Sequence, residues 1–160
     1  MFTPDENGVY ARVSASPIRR LVAYIFLTVL GILLIYMALF QPPPAHWLVF
    51  LLAMGATTLW VAEKLRLATQ LSIELTETEL RDSNGRILAS LGQVKGVDRG
   101  AFAMKPSNGF TVILTEKGQR AWAPGLWWRI GRRVGVGGVT SAAEAKLMAE
   151  QIALRIQSAR

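Results

Sequence analysis

Two long apolar stretches dominate the first half of the chain. Residues 21–40 (LVAYIFLTVLGILLIYMALF) and residues 45–62 (AHWLVFLLAMGATTLWVA) contain no Asp, Glu, Lys or Arg. As helices they would be about 30 Å and 27 Å long, close to the thickness of a bilayer core. The prolines of residues 42–44 between them cannot continue a helix. The pattern predicts an antiparallel hairpin of two transmembrane helices, and a cleaved signal peptide is disfavoured because QPPPAHW follows the first stretch.

The charges that flank the hairpin predict its orientation. Arg12, Arg19 and Arg20 precede the first span, Lys64 and Arg66 follow the second, and the intervening loop has neither Lys nor Arg. The positive-inside rule therefore predicts that both termini are cytoplasmic. The pattern therefore predicts a multi-pass membrane protein.

The spans offer little chemistry. Their only group that can titrate near neutral pH is a histidine near the outer turn, His46, which we interpret as an interfacial residue. We therefore expect no proton relay or ion pathway. The small residues Ala53, Gly55, Ala56 and Thr57 predict close approach of another helix, either the first span or a partner. Threonine hydroxyls in the spans are expected to bond to their own helix or to a neighbour.

After Lys64 the hydrophobic period changes from that of helices to that of strands. Alternation from Leu67 to Leu75 predicts a first strand, and Asn84-Gly85 predicts the turn of a hairpin. Further turns are predicted at KPSNGF (105–110) and at EKGQ (116–119), with strands on either side. The segment SAAEAKLMAEQIALRI predicts an amphipathic C-terminal helix, with Leu147, Met148, Ile152 and Ile156 on its apolar face.

Three parts of the chain follow from these patterns. Residues 1–17 are predicted to be a mostly irregular cytoplasmic arm, residues 18–64 the transmembrane hairpin, and residues 65–160 a cytoplasmic domain of six or seven short strands and one helix. The spacing of Ser141 and Glu144 predicts a capping box at the start of that helix.

Composition narrows the classes of function. The chain has no cysteine and one histidine, which rules out disulfides, thiolate metal centres and multi-histidine sites, so we expect no cofactor and no metal. From Glu63 onward there are fifteen basic and nine acidic residues, a net charge of +6. Beside a membrane, this charge predicts attraction to anionic lipid headgroups or to an acidic partner. No nucleic-acid recognition motif accompanies it, so nucleic acid is not expected as a partner.

The segment WAPGLWWRIGRRVGVGG, residues 122–138, is the candidate for binding. Its glycine spacing fits neither a dinucleotide fingerprint nor a phosphate loop, so the glycines are expected only to lead into the last helix. On an extended strand, Trp128, Ile130 and Val134 would face the core, and Trp127, Arg129 and Arg133 would face outward, with a bend at Arg132. Three interpretations stay open: a solvated basic edge, a protein contact or a lipid contact. The predicted contact residues are Trp127, Arg129, Arg132 and Arg133.

Four carboxylates lie along the first predicted hairpin. Paired carboxylates can act as general acids and bases, but nothing near them in the sequence supplies a nucleophile and its base. We interpret them as a solvated hairpin, salt-bridged to Arg81 and Arg86, and expect no enzymatic activity. They are Glu74, Glu77, Glu79 and Asp82.

The whole layout resembles bacterial membrane proteins in which a two-helix hairpin precedes a domain similar to a pleckstrin-homology (PH) domain. The resemblance covers residues 18–160 and rests on the two spans, on LSIELTETELRDSNGRILASL and GFTVILT, and on the closing helix SAAEAKLMAEQIALRI. It implies a strongly bent antiparallel sheet or barrel of about seven strands capped by the C-terminal helix. The long WWRIGRRVGVGG segment departs from the common pattern, and no phosphoinositide site carries over.

The resemblance implies a function in binding rather than catalysis. We expect a non-enzymatic inner-membrane protein that holds a basic PH-like protein-interaction domain at the cytoplasmic membrane surface. An accessory or assembly subunit of a larger respiratory or photosynthetic complex is one alternative, and a reader of anionic lipid headgroups is another. The expected partners are membrane lipids and another membrane protein, a complex or a second copy of the chain.

Overall fold

The computed structural model describes residues 4–100 and 105–158. In the described parts of the chain, three α-helices and seven strands follow in the order β1 (Ala11–Ser14), α1 (Pro17–Phe40), α2 (Ala45–Ala68), β2 (Ser72–Leu75), β3 (Glu79–Asp82), β4 (Ile87–Ser90), a 3-10 turn (Leu91–Gln93), β5 (Val94–Asp98), β6 (Phe110–Ala123), β7 (Trp127–Val136) and α3 (Ala142–Ser158). The strands form two antiparallel sheets, β1-β2-β3-β4 and β5-β6-β7. Two apolar helices, a β-rich unit and a C-terminal helix are thus confirmed.

Helices α1 and α2 are long and apolar enough, by length and composition, to cross a membrane. Each has 24 residues, and their mean hydropathies reach 2.5 and 1.6. Only 11% and 17% of their apolar windows are buried, whereas the core helix of a soluble protein buries most of such a surface. Large side chains such as Phe26, which is 66% exposed, line the outside of the hairpin.

Glycine allows α1 and α2 to pack closely. A Cβ atom at Gly55 would lie 2.6 Å from Cγ1 of Ile35 and 3.1 Å from the carbonyl oxygen of Gly31. A Cβ atom at Gly31 would lie 2.7 Å from Cδ2 of Leu59. The two backbones therefore approach at one point where neither helix has a side chain. Gly55 packs against the first span, one of the two alternatives that the sequence leaves open.

The other three predicted packing residues do not face α1. Ala53, Ala56 and Thr57 are exposed on the outer surface of α2. The hydroxyl of Thr57 donates to the carbonyl oxygen of Ala53 at 2.7 Å, and Thr58 bonds one turn back in the same way, to Met54. These hydroxyls bond to their own helix, as predicted. Contact between this face and a partner helix remains a prediction.

The prediction of an irregular arm is wrong for residues 11–14, which form strand β1. Each residue of β1 pairs with β2, from Ala11 opposite Leu75 to Ser14 opposite Ser72. The side chain of Val13 is fully buried in the core. The helical hairpin is therefore inserted between two neighbouring strands of one sheet, and the β-rich unit does not begin at residue 65.

The predicted first strand also begins too early. Helix α2 continues through Leu67 to Ala68, and Thr69 ends it by donating its hydroxyl to the carbonyl oxygen of Leu65 at 2.6 Å. The leucines of this stretch fit both periods, and the helix continues because α2 already provides the preceding turns. The strand starts at Ser72.

Two of the three predicted turns are confirmed. Gly85 adopts a positive φ in the β3–β4 turn, and Asn108 does so in the turn before β6. The turn predicted at 116–119 is wrong, because β6 runs unbroken from Phe110 to Ala123 and the chain turns at residues 124–126. Gly118 lies inside β6, at an irregularity of its pairing with β7.

Helix α3 packs across both sheets and completes the core. Met148 and Ile152 are fully buried, and Ile156 packs at the edge of the core. Leu147 was predicted on this face but is 51% exposed, because the buried stripe follows the alanines at positions 145 and 149 instead.

The first turn of α3 is connected to β1. The carboxylate of Glu144 accepts hydrogen bonds from the backbone N–H of Ser14 at 2.8 Å and from its hydroxyl at 3.0 Å. The backbone N–H of Ser141 donates to the carbonyl oxygen of Ser14 at 3.1 Å. The predicted capping box is therefore wrong, because the carboxylate of Glu144 binds Ser14, at the end of the strand that leads into α1.

This contact predicts a specific loss of stability. Replacing Glu144 with Ala leaves the half-buried N–H of Ser14 without its charged acceptor, and the free energy of unfolding should fall by about 1–2 kcal/mol. Chemical denaturation of the full chain in mild detergent, followed by tryptophan fluorescence, measures this. The matched control is Glu150→Ala, which removes an exposed ion pair with Arg99 and should cost about 0–1 kcal/mol. Equal losses in the two variants would contradict the role of Glu144.

Candidate functional site

The predicted contact segment lies on a strand pair that folds back on itself. The ring of Trp128 lies against the backbone of Gly135, where a Cβ atom would lie 2.4 Å from the ring. Along a straight strand these two residues would be about 23 Å apart. The backbone N–H of Gly137 also donates to the carbonyl oxygen of Leu126 at 2.8 Å. Both ends of β7 therefore lie side by side, and the bend is between them.

The bend is at Gly131. Its φ of 59° is left-handed, and the pairing with β6 shifts between the pairs Ile113–Arg133 and Gly118–Gly131. Four residues of β6 lie between these pairs but only one residue of β7 does, so β6 follows the longer outer path. The sequence predicts a bend at Arg132, one residue away.

Trp127 is buried, contrary to its predicted exposure. It is 2% exposed and belongs to the hydrophobic core together with Leu126. The guanidinium of Arg86 lies 5.2 Å from the centre of its ring. Conversely, Ile130 was predicted to be in the core and is 52% exposed. The prediction assumed a straight strand. The strand pair folds back at Gly131, so residues 127–130 turn the opposite face to the core.

Arg129 connects the folded-back half of β7 to the other sheet. It is partly buried, and its Nη1 donates to the carbonyl oxygen of Leu88 on β4 at 3.3 Å. Its guanidinium also covers Gly118, where it leaves no room for a Cβ atom. Its role in the fold is therefore structural. Arg132 and Arg133 are exposed next to the bend, so they are the two predicted contact residues that a partner can reach.

A second exposed surface, which the sequence pattern does not predict, lies on the strand pair between the bend and the β6–β7 turn. Trp122 on β6 is 55% exposed and stands opposite Trp128 on β7. Arg120 and Ile130 lie beside them and line the same shallow cleft. Strict alternation along β6 would place Trp122 on the same face as the buried Phe110 and Val112, so its exposure follows from the irregular pairing around Gly118 and not from a local sequence signal.

A cleft of about 610 Å³ lies at the end of the β-rich unit that is far from Ser14 and Ser72. Tyr10, Glu77 and Leu91 line it on one side, and Arg155 of α3 on the other. The guanidinium of Arg155 stacks 3.9 Å from the centre of the Tyr10 ring and donates to the carbonyl oxygen of Thr76 at 2.7 Å. Because Arg155 connects α3 to β1 and to the β2–β3 turn, its contacts serve the fold.

Two of the four carboxylates of the first hairpin, Glu74 and Asp82, are buried and stabilise the fold, whereas Glu77 is exposed. Glu74 accepts from Arg12 at 2.9 Å and lies 3.4 Å from Arg81, which confirms one of the two predicted ion-pair partners. Asp82 accepts from the backbone N–H groups of residues 84 and 86, each at 3.0 Å. Arg86 stacks on Trp127 instead of pairing with a carboxylate. Within residues 4–100 and 105–158, no group of three or more His, Asp or Glu side chains could hold a metal ion.

Comparisons with models of protein families, with curated proteins and with solved structures found no match for this chain.

Substitutions at Gly131 test whether the bend depends on the left-handed backbone of this residue. Nothing lies within 4 Å of a Cβ atom at Gly131, so a side chain has room there and only the positive φ opposes it. Gly131→Val should lower the free energy of unfolding by about 1–3 kcal/mol. Gly131→Asn should cost less, because Asn tolerates left-handed backbone. Denaturation of the full chain in detergent compares the two, and equal losses would mean that the bend does not depend on this conformation.

Proposed function

We propose that this chain is a non-enzymatic inner-membrane protein that holds a basic PH-like interaction domain at the cytoplasmic surface in a fixed orientation. The observation that carries the proposal is the insertion of the apolar hairpin between β1 and β2. Ser14 and Ser72 are paired neighbours in one sheet, so the chain leaves and re-enters the domain at the same point. A domain attached by two such short connections cannot swing freely, unlike one attached by a flexible linker.

Hydrogen bonds at the base of the hairpin support a fixed orientation. Arg19, in the first turn of α1, donates to the carbonyl oxygen of Thr140 at 3.0 Å. Arg20 donates to the carbonyl oxygen of Thr69, just after α2, at 3.3 Å. The backbone N–H of Ser16 donates to Val139 at 2.8 Å. The cations that predict the cytoplasmic side of the membrane thus also bind the domain, which favours cytoplasmic termini.

The arrangement of the strands supports a PH-like domain. Four strands and then three form two antiparallel sheets, and a C-terminal helix packs across both. This is the order expected from the resemblance, with one difference: the first strand precedes the hairpin. In this proposal the hairpin replaces the connection between the first two strands of the domain.

Arg132 and Arg133 are the proposed contact for a protein partner. They follow the bend at Gly131, which lies about 16 Å along the strand from the β6–β7 turn at Leu126. That turn contacts α2, so the bend lies at the end of the folded strand pair opposite to the contact with the hairpin. Two exposed guanidinium groups there favour an acidic protein surface. Trp127 is not part of this contact because it is buried.

An accessory or assembly subunit of a larger respiratory or photosynthetic complex is a more specific form of this proposal. The exposed small residues Ala53, Ala56 and Thr57 on α2 would then meet a helix of that complex. This face is separate from the Arg132–Arg133 pair, so both contacts can form at once. Recognition of anionic headgroups as the sole function is the competing proposal, and it rests on the net charge of residues 63–160.

Affinity purification of the full chain in mild detergent tests the proposal. We expect a membrane protein to co-purify at a fixed ratio, and the double variant R132A/R133A should reduce its recovery severalfold because the guanidinium contacts are lost. The matched control, K105A/K146A, removes the same charge from two exposed positions elsewhere. Equal reductions in both would indicate a net-charge effect, and co-purification of lipids alone would favour the headgroup reader.

A further inference from the structure

The β6–β7 turn contacts the end of α2. A Cβ atom at Gly125 would lie 3.3 Å from Cγ2 of Thr69 and 3.4 Å from Cδ1 of Leu65. The carbonyl oxygen of Gly125 also accepts from the backbone N–H of Val139 at 3.0 Å, next to the base of α1. This turn is therefore held against the hairpin where the hairpin meets the domain.

This contact places Trp122 close to the membrane surface, if the hairpin crosses the bilayer as proposed. Leu65 is three residues beyond Ala62, where the apolar stretch ends, so it lies about 5 Å outside the hydrocarbon core. Trp122 precedes Gly125 by three residues, which span at most about 10 Å. The headgroup layer on each side of a bilayer is about 5–8 Å thick, so the indole can reach it.

The chemistry of Trp122 fits that layer. Trp122 is 55% exposed although tryptophan has the largest apolar side chain. Among the described residues of β1–β7, the exposed large hydrophobic side chains are Ile87, Trp122 and Ile130. Indole rings are enriched at the membrane–water interface, because one edge is apolar and the N–H binds headgroups or water.

The charges at the same end of the domain complement an anionic leaflet. Three carboxylates lie there, against five basic residues: Glu63 pairs with Arg66, Asp82 binds the backbone of its own turn, and Glu144 binds Ser14. Positive charge therefore predominates near the hairpin, and each basic residue close to an anionic surface contributes about 1 kcal/mol of attraction. The basic residues of this end are Arg19, Arg20, Lys64, Arg66 and Arg86.

We propose that Trp122 rests in the headgroup layer of the leaflet from which α1 and α2 emerge. It gives the domain a third point of contact with the bilayer, beside the two connections to the helices. Three points define a plane, so this contact sets the tilt of the domain and turns the Arg132–Arg133 pair toward the cytoplasm. The inference rests on the proposed membrane insertion, but it requires no protein partner.

Single-cysteine labelling tests this contact directly, because the chain has no cysteine of its own. The full chain carries an environment-sensitive fluorophore at W122C, at R120C, or at T78C in the exposed β2–β3 turn at the far end of the domain. Each variant is reconstituted into nanodiscs that contain phosphatidylglycerol, with and without lipids that bear a spin label in the headgroup region. R120C retains the indole, and R120C/W122S removes it.

Headgroup contact predicts blue-shifted emission and severalfold stronger quenching at 122 than at 78. Quenching at 120 should be intermediate and should fall when Trp122 is replaced by Ser. Nanodiscs of phosphatidylcholine alone should weaken the quenching at 120 and 122. Equal emission and quenching at 122 and 78 would overturn the inference and leave Trp122 facing water.

A label in the middle of α1, at V29C, tests the proposed membrane insertion separately from the headgroup contact of Trp122. Val29 is exposed on the hairpin, and a spin label deep in the acyl chains should quench it strongly if α1 crosses the bilayer. Quenching at 29 without quenching at 122 overturns only the headgroup contact. Absence of quenching at 29 overturns the membrane insertion, and the headgroup contact with it.

Discussion

The pairing of β1 with β2 is the constraint on which the rest of the structure depends. Fifty-seven residues separate Ser14 from Ser72, yet the two face each other in one sheet. The separation is possible because α1 and α2 have equal lengths of 24 residues and pack closely at Gly31 and Gly55, which returns the chain to its starting point. The helix contact lowers the entropic cost of closing this long connection, and the strand pair in turn holds the two helix ends together.

Because the helical hairpin is inserted between the paired strands β1 and β2, each surface of the domain lies at a defined distance from the hairpin. The β6–β7 turn at Gly125 lies against α2, and the bend at Gly131 lies at the other end of the folded-back strands. A surface near the hairpin and a surface far from it are thus presented by one pair of strands. Such a geometry suits a protein that must display a contact at a fixed height above a membrane, and it requires no moving part.

The sequence predicted correctly those elements that are specified by the residues within them. The apolar stretches, the Asn84-Gly85 turn and the helical period of apolar residues in the last helix each specify their own structure. Strand β1 has no such signal, because ARVS becomes a strand only by pairing with residues sixty positions away. The exposure of Trp127 was also mispredicted, since the fold-back at Gly131 reverses the face of β7. Of the four predicted contact residues, only Arg132 and Arg133, which lie beside the bend, are exposed.

Replacing the hairpin with a turn tests the central claim most directly. Paired residues of an antiparallel strand pair lie about 5 Å apart, so Asn-Gly can join Ser14 to Ser72 in place of residues 15–71. If the hairpin is an insertion into one folded unit, this shortened chain should be soluble and should unfold cooperatively. A fragment of residues 72–160, which lacks β1, should not fold, because the Val13 site in the core is empty. Cooperative unfolding of residues 72–160 with the same stability as the joined chain would contradict the account.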